Sequence, residues 1–205
     1  MNILFHRNIG LTICLGGVAA FAQGDPAPSQ NVKPPQKLPF SVYAESGDHF
    51  VPSGYMGDTS DIVIIASCKN KPAKGEKCMK VKYSGKASHG NNWAGVFWQD
   101  PANNWGTVKG AGYNLTGATK VTFMARGEKG GESIEFKAGG ISGEFPDTFK
   151  ADAPIVTLTA EWQEYEIDLA EHDLSSVIGG FCFALAKDKN PEGCIFYLDS
   201  IRYEP

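Results

Sequence analysis

The chain has 205 residues and a formal net charge of −4, and its basic residues form no cluster. Nucleic acids and anionic membranes attract basic patches, so the charge pattern argues against both partners. The length suffices for one domain with a sizeable core.

The first 22 residues have the parts of a secretory signal peptide. Arg7 provides a positive charge, residues 9–20 are mostly apolar, and Ala20-Phe21-Ala22 is a small-x-small cleavage site. The apolar stretch is too short to span a bilayer, and no later stretch is apolar enough to be a membrane helix. We therefore predict cleavage after Ala22, a secreted or periplasmic location and no membrane span.

A proline-rich leader follows, at residues 23–39. It contains repeated Pro and polar residues and few residues that form a core. The folded domain is expected to begin near Phe40 and to extend to residue 205.

From Phe40 onwards, apolar residues recur with a period of two, which predicts β-strands. Gly, Pro, Asn and Asp separate the runs, and the one helical candidate, residues 170–177, is expected to be a loop or a single turn. Many short strands with so little helix indicate an all-β fold, an antiparallel β-sandwich of the jelly-roll type. The predicted strands are Ile62–Ser67, Lys77–Ser84, Trp93–Gln99, Lys120–Arg126, Ser133–Ala138, Ile155–Thr159, Gln163–Leu169, Gly180–Lys187 and Ile195–Tyr203.

Three of the four tryptophans lie within residues 91–106, among amides and a carboxylate. Flat indole faces can cover the apolar side of a sugar ring, while amides and carboxylates bond its hydroxyls. The alternative is that the indoles fill the core, because Trp93 and Trp98 lie in a predicted strand. The sugar-binding residues predicted in this segment are Trp93, Trp98, Gln99, Asp100, Asn103, Asn104 and Trp105.

Other candidates lie outside this segment. Tyr55 is a further member of the aromatic platform, and alternation points Arg126, Glu135 and Lys137 away from the core. We expect these three charged residues to share one outer sheet face, where Arg126 and Glu135 bond sugar hydroxyls. A cross-strand ion pair on a solvated face is the alternative.

Four cysteines follow the signal peptide, and four cysteines allow three pairings. Spacing favours Cys68 with Cys78 and Cys182 with Cys194, because each pair brackets a turn between two predicted strands. A zinc site is the alternative, although the chain has no C-x-x-C pair and its histidines are scattered.

Several strings carry a family resemblance, namely residues 50–58, 93–106, 113–118, 121–132, 158–169 and 196–204. In this order they resemble the galactose-binding-like jelly-roll domains of bacterial secreted proteins, close to family 11 carbohydrate-binding modules, over about residues 41–204. The resemblance implies non-catalytic binding of β-linked glucan or a similar polysaccharide, and a polysaccharide-degrading enzyme as partner.

The resemblance also implies a structural calcium ion near the chain ends. Asp199 matches the position of a carboxylate ligand, and Glu45 and Asp48 are the expected partners. The alternative is that Asp199 caps a turn or pairs with Arg202.

Two other functions stay open. Glu166, Asp168 and Glu171 form a string similar to the Glu-x-Asp-x-x-Glu signature of family 16 glycoside hydrolases, where two carboxylates act on the glycosidic bond. Here the string lies near the C-terminus and is typical of a penultimate strand entering a loop. A structural or protein-interaction module is the third alternative.

Overall fold

The computed structural model describes residues 33–44 and 48–205. The predicted signal peptide, most of the predicted leader and Glu45 lie outside these residues. No helix in the described part of the chain is long and apolar enough to cross a membrane.

The described residues form a β-sandwich of two antiparallel six-stranded sheets. Sheet A has the order β10-β6-β12-β4-β3, with β1 beside β12, and sheet B has the order β2-β5-β11-β7-β8, with β9 beside β7. The predicted all-β sandwich is therefore confirmed. The strands are β1 Phe40–Tyr43, β2 Val51–Gly57, β3 Ile62–Cys68, β4 Cys78–Tyr83, β5 Trp93–Gln99, β6 Lys120–Gly127, β7 Ser133–Gly139, β8 Lys150–Asp152, β9 Val156–Thr157, β10 Gln163–Asp168, β11 Gly179–Ala186 and β12 Cys194–Glu204.

Every strand predicted from period-two alternation is present, with ends shifted by a few residues. The prediction missed β1, β2 and β8. Strand β2 contains Pro52, Gly54 and Gly57, which weaken a strand pattern, and β8 is only three residues long. Residues 170–177 form turns and loop, as expected.

The core lies between the two sheets and is rich in aromatic rings. Trp98 of β5 is fully buried, with ring centroids 5.4 Å from Phe181 and 5.9 Å from Phe183 of β11. Phe123 of sheet A lies 5.1 Å from Phe181 and so joins the two sheets. Replacing a ring of this kind by Ala costs about 3–5 kcal/mol, because it leaves a cavity.

Alternation correctly predicts which side of each strand is buried, but not which sheet each strand joins. Phe123 of β6 and Phe136 of β7 both point into the core, as expected. However, β6 belongs to sheet A and β7 to sheet B. Arg126 therefore lies on the opposite outer face from Glu135 and Lys137, and the expected shared face is wrong.

The folded part extends upstream of Phe40. Lys33 Nζ donates to Gly112 O at 2.6 Å, and Asn114 Nδ2 donates to Lys33 O at 2.6 Å. Leu38 packs against the core. The last residues of the predicted leader thus line the loop that precedes β6.

A buried carboxylate organises the turn between β4 and β5. Asp61 is 3% exposed, and its Oδ2 accepts hydrogen bonds from Ala87 N at 2.8 Å and Ser88 N at 3.4 Å. Burial alone would raise the pKa of Asp61, but hydrogen bonds from Ser84, Ser88 and Ala87 outweigh it and hold the pKa below 3.8. The charged form is therefore the one that holds the turn.

We expect Asp61→Asn to lower Tm by roughly 3–10 °C at about pH 7, because an amide is a weaker acceptor. Because the pKa of Asp61 is lower in the folded state than the ordinary 3.8, the charge of Asp61 stabilises the fold at pH values above 3.8. This contribution is lost as pH falls through the folded-state pKa. The Tm difference between variant and wild type should therefore shrink in acid. Thermal melts across this pH range check both points.

The control is Asp188→Asn, because the Asp188 side chain is 72% exposed in its pair with Lys189. This variant should melt like the wild type at every pH. A difference for Asp61→Asn that stays constant down to acid pH would contradict the assigned role of its charge.

Candidate aromatic binding face

The outer side of β5 carries two aromatic rings, of which Trp93 is exposed and Phe97 is buried. Ala94, Val96 and Trp98 point into the core, so Trp93 and Phe97 point outward from sheet B. Trp93 is 39% exposed, whereas Trp98 is fully buried. The prediction of Trp98 as a binding residue is therefore wrong, because strand alternation puts it on the core side.

Trp105 joins these rings from the loop that follows β5. It is 39% exposed, and its ring centroid lies 6.2 Å from that of Phe97 with the planes at 88°. Trp93 and Phe97 are four residues apart on one strand, or ~13 Å at 3.3 Å per residue. We call the outer surface of sheet B between Trp93 and Trp105 the aromatic face.

Small residues form the floor of the aromatic face. Gly95 of β5 pairs with Ala184 of β11 between the two exposed tryptophans. A Cβ at Gly95 would lie 2.7 Å from Phe183 O and 3.2 Å from Met56 Cε, so the position accepts no larger residue without a shift. Met56 therefore covers Gly95, and Ala184 is the small residue of the floor that stays partly exposed.

A row of alternating charges borders this floor on β7 and β8. Lys137 Nζ lies 2.8 Å from Glu135 and 3.2 Å from Asp152, and Lys150 lies 2.8 Å from Asp152. Burial alone would lower the pKa of Lys137, but its bonds to the two carboxylates outweigh it and raise the pKa. The positive and negative charges of the row compensate one another, and the row offers both hydrogen-bond donors and hydrogen-bond acceptors.

A depression of about 150 Å³ adjoins Trp93 at the other end of the face. Its wall includes Glu135, Ile155 and Lys189 beside the indole, and Ile155 is 59% exposed. Apolar surface and a carboxylate thus meet in one recess.

A larger cavity, about 670 Å³, lies elsewhere, between residues 128–132 and 189–195. Its aromatic lining residue is Tyr83, which is only 3% exposed. A cavity without an exposed ring offers no stacking surface, so the aromatic face is the better candidate despite its smaller recess.

The loop that carries Trp105 is held by polar side chains that the sequence assigned to the ligand. Gln99 and Asn104 are buried, and Gln99 Nε2 donates to Asn104 O at 2.9 Å. Asn104 Oδ1 accepts from the backbone N–H groups of three residues, Gly106, Thr107 and Val108, at 3.1–3.3 Å.

Asp100 has the same structural role. Its Oδ2 accepts from Gly112 N at 2.9 Å and closes the loop. Gln99, Asp100 and Asn104 therefore position Trp105 and are not available as the predicted sugar-bonding groups. Asn103 does face solvent, beside Trp105, as predicted.

We expect Asn104→Ala to lower the free energy of unfolding by about 1–3 kcal/mol, because it leaves one buried and two partly buried N–H groups without their acceptor. Urea denaturation measures the change. The control is Asn103→Gly, at an exposed position with φ of 61° where glycine is unstrained. This variant should stay within about 0.5 kcal/mol of wild type. Equal stability of the two variants would contradict the anchoring role of Asn104.

Two further predicted residues lie away from the aromatic face. Tyr55 is 39% exposed, but it pairs with Val96, which points into the core, so its side chain leaves the edge strand β2 on the side away from the aromatic face. Arg126 is 6% exposed on sheet A, with its guanidinium carbon 3.7 Å from the ring centroid of Tyr197 and 5.2 Å from that of Trp162. Both predictions are wrong for this face.

Some residues of the aromatic face were not predicted from the sequence. Phe97, Gly95, Ile155 and Asp152 were not predicted as site residues. For Phe97 and Gly95 the signal was available, because the alternation that points Trp93 outward also puts them on the outer side of sheet B, although neighbouring side chains bury them there. Ile155 and Asp152 lie more than 50 residues from Trp93 in the chain, and only sheet pairing brings them near.

Asp199 and Asp48, the two described residues of the predicted calcium site, are bonded to backbone N–H groups, and Glu45 lies outside the described residues. Asp199 Oδ2 accepts from Ala73 N and Lys74 N, and Asp48 Oδ1 accepts from Ala44 N. These oxygens face N–H donors, whose positive ends repel a cation. Within residues 33–44 and 48–205 no group of three or more His, Cys, Asp or Glu side chains is placed to hold a metal.

We therefore expect EDTA to leave Tm unchanged, in contrast to the expectation from the family resemblance. A structural ion binds the folded state and raises Tm by mass action. Thermal melts with EDTA, and again after Ca²⁺ is added back, make the comparison. A fall in Tm that Ca²⁺ reverses would contradict the interpretation of Asp199 as a loop cap.

The carboxylates of the glycosidase alternative lie on an exposed edge of sheet A. Glu166 pairs with Lys120 at 3.3 Å, with 64% of its side chain exposed, and Asp168 Oδ1 accepts from Ala170 N. Glu171 is exposed in the turn after β10. This edge belongs to the sheet opposite the aromatic face, so the carboxylates and the exposed tryptophans do not form one site.

The four described cysteines are free thiols. Cys182 packs with Phe97, Ile141 and Ile178 on the outer side of sheet B, whereas Cys194 begins β12 of sheet A. A whole sheet separates them, so the predicted Cys182–Cys194 pair is wrong. Cys68 and Cys78 lie opposite each other on β3 and β4.

No protein-family model and no curated protein matches the chain. Solved structures do match it. A family 30 carbohydrate-binding module has a TM-score of 0.57 at 12% identity, covering 82% of this chain and 89% of that one. The family 30 module of a cellulosomal cellulase of Clostridium thermocellum has a TM-score of 0.52 at 15% identity, covering 81% and 96%.

A family 11 module from Clostridium thermocellum, in complex with a β-1,3-1,4-mixed-linked tetrasaccharide, also matches. Its TM-score is 0.45 at 17% identity, covering 70% of this chain and 81% of the module. At these identities the matches show a shared fold. The resemblance to carbohydrate-binding modules is confirmed at that level by the family 30 structures.

Proposed function

We propose that this protein binds carbohydrate on the aromatic face and does not cleave it. The observation that carries the proposal is the pair of half-exposed indoles, Trp93 and Trp105, at the two ends of a floor of small residues. Leaving two indoles in solvent is costly unless a ligand covers them. The fold shared with family 30 modules supports the same function.

The spacing favours a chain of sugars over a single sugar. Trp105 packs against Phe97, which lies ~13 Å from Trp93 along β5, and this strand spacing exceeds one pyranose ring. Between the two indoles Met56 of β2 packs over Gly95, with its Cε 3.2 Å from the position of a Cβ there, so a ligand running between the rings would rest on the flexible Met56 side chain and on Ala184. A linear polysaccharide such as a β-linked glucan fits this shape.

The border of the face favours a neutral glycan. Lys137 and Lys150 are each paired with a carboxylate, so the row of charges presents no net field to an ionic ligand. The same groups, with Asn103 beside Trp105, can exchange hydrogen bonds with sugar hydroxyls. Discrimination among neutral glycans would then depend on where their hydroxyls meet Glu135 and Lys137.

Export and an enzyme partner complete the proposal. The signal peptide predicted at residues 1–22 would deliver the protein to the compartment where polysaccharides are degraded. A protein that binds polysaccharide there would act beside a polysaccharide-degrading enzyme, as the family resemblance implies.

We expect Trp105→Ala and Trp93→Ala each to weaken binding at least about tenfold, because each removes a stacking surface. Affinity electrophoresis in gels containing β-glucan, xylan or mannan screens the ligands, and calorimetry with an oligosaccharide of the retained glycan measures affinity. The matched control is Trp162→Ala, which removes an indole from the outer face of sheet A. It should bind like the wild type, once circular dichroism shows that it is folded.

Two results would overturn the proposal. If the wild type is retarded by no neutral glycan, or if Trp162→Ala weakens binding as much as Trp105→Ala, the aromatic face is not the binding site. Release of reducing ends from the bound glycan, abolished by Glu166→Gln, would instead support the glycosidase alternative.

A further inference from the structure

Two cysteines face each other at the mouth of a lysine-rich loop in sheet A. Cys68 ends β3, Cys78 begins β4, and the two are directly opposed in the antiparallel register. Directly opposed residues have Cα atoms about 4.5–5.5 Å apart, which lies inside the range of about 4.4–6.8 Å that a disulfide spans.

The Cys78 thiol points at the end of β3. Its Sγ lies 3.5 Å from the backbone O of Cys68. Burial and the neighbouring Cys68 thiol raise the pKa of Cys78 to about 12. Cys78 is fully buried, whereas Cys68 is partly exposed.

The loop between them, residues 69–77, is fixed to the outer face of sheet A by several hydrogen bonds. Asp199 Oδ2 accepts from Ala73 N at 2.9 Å and Lys74 N at 3.1 Å. Trp162 Nε1 donates to Lys71 O at 2.7 Å.

Arg126 ties the start of the loop to the same face. Its Nη2 donates to Asn70 O at 2.9 Å, while its guanidinium stacks on Tyr197. The ends of β3 and β4 are therefore held opposite each other by contacts that do not involve sulfur.

We propose that Cys68 and Cys78 are a redox pair that closes into a disulfide when the folded protein meets a disulfide oxidant such as oxidised glutathione. This inference does not depend on the proposed sugar binding. Cys182 and Cys194 take no part, because sheet B separates their side chains.

The exchange proceeds in two balanced steps. The Cys68 sulfur, the more accessible of the two, gives up its proton and attacks one sulfur of oxidised glutathione, so that one glutathione leaves and takes up a proton. The Cys78 thiol then gives up its proton, and its sulfur attacks the Cys68 sulfur and expels the second glutathione. Two protein thiols are oxidised, and one glutathione disulfide is reduced to two thiols.

Closing the loop has a defined structural consequence. The disulfide would restrict the unfolded chain around residues 68–78 and so stabilise the folded state. It would also keep the two strands joined after cleavage at Lys69 or Lys74 in the loop. The aromatic face lies on the other sheet, so oxidation should leave it unchanged.

Peptide mapping of the purified, reduced protein tests the pair. After incubation with oxidised glutathione, free thiols are alkylated and the protein is digested with trypsin without reduction. We expect the Cys68 and Cys78 peptides as one linked species that dithiothreitol separates, with Cys182 and Cys194 recovered alkylated. Tm should rise by about 5 °C or more on oxidation.

Matched variants separate the pair from the other thiols. The double variant Cys182→Ser, Cys194→Ser should still form the linked species, whereas Cys68→Ser should not, and its Tm should not respond to the oxidant. Recovery of Cys68 and Cys78 as alkylated or glutathionylated peptides in the wild type would overturn the proposal. A linked species containing Cys182 or Cys194 would overturn it equally.

Discussion

Successive side chains of a β-strand point to opposite faces, and in β5 this geometry builds the core and the aromatic face from one segment. Ala94, Val96 and Trp98 pack between the sheets, while Trp93 and Phe97 emerge on the other side. A register shift of one residue would bury Trp93 and expose Trp98. The core ring Trp98, packed against Phe181 and Phe183, thus fixes the register that presents the outer rings.

Several polar residues lie close to Trp105 in the sequence, yet they bond the loop and not a ligand. A loop with several backbone N–H groups facing inward needs acceptors, because each unpaired buried group costs about as much as a lost hydrogen bond. Asn104 accepts from three of these N–H groups and Asp100 from a fourth, while Gln99 donates to the Asn104 carbonyl. The rigidity that holds Trp105 in place therefore uses the amides that otherwise would have bonded a sugar.

The two outer faces of the sandwich have different characters. On sheet B, rings stand half exposed above a floor of small residues, beside ion pairs open to solvent. On sheet A, the Arg126 guanidinium is enclosed between Tyr197 and Trp162 and bonded to the loop that joins β3 to β4. Stacking of this kind stabilises by about 2 kcal/mol when desolvated. One face thus has rings free to meet a ligand, and the other has its rings occupied by the protein itself.

The sequence alone determined the fold class, the strands of regular alternation and the segment from which the exposed tryptophans come. These features depend on local periodicity and turn residues, which any sequence displays directly. Tertiary structure decided that Arg126 and Glu135 lie on different sheets, that Cys182 and Cys194 cannot meet, and that Asp199 serves a loop. Each of these depends on which strands pair, and pairing joins residues far apart in the chain through contacts that no local pattern records.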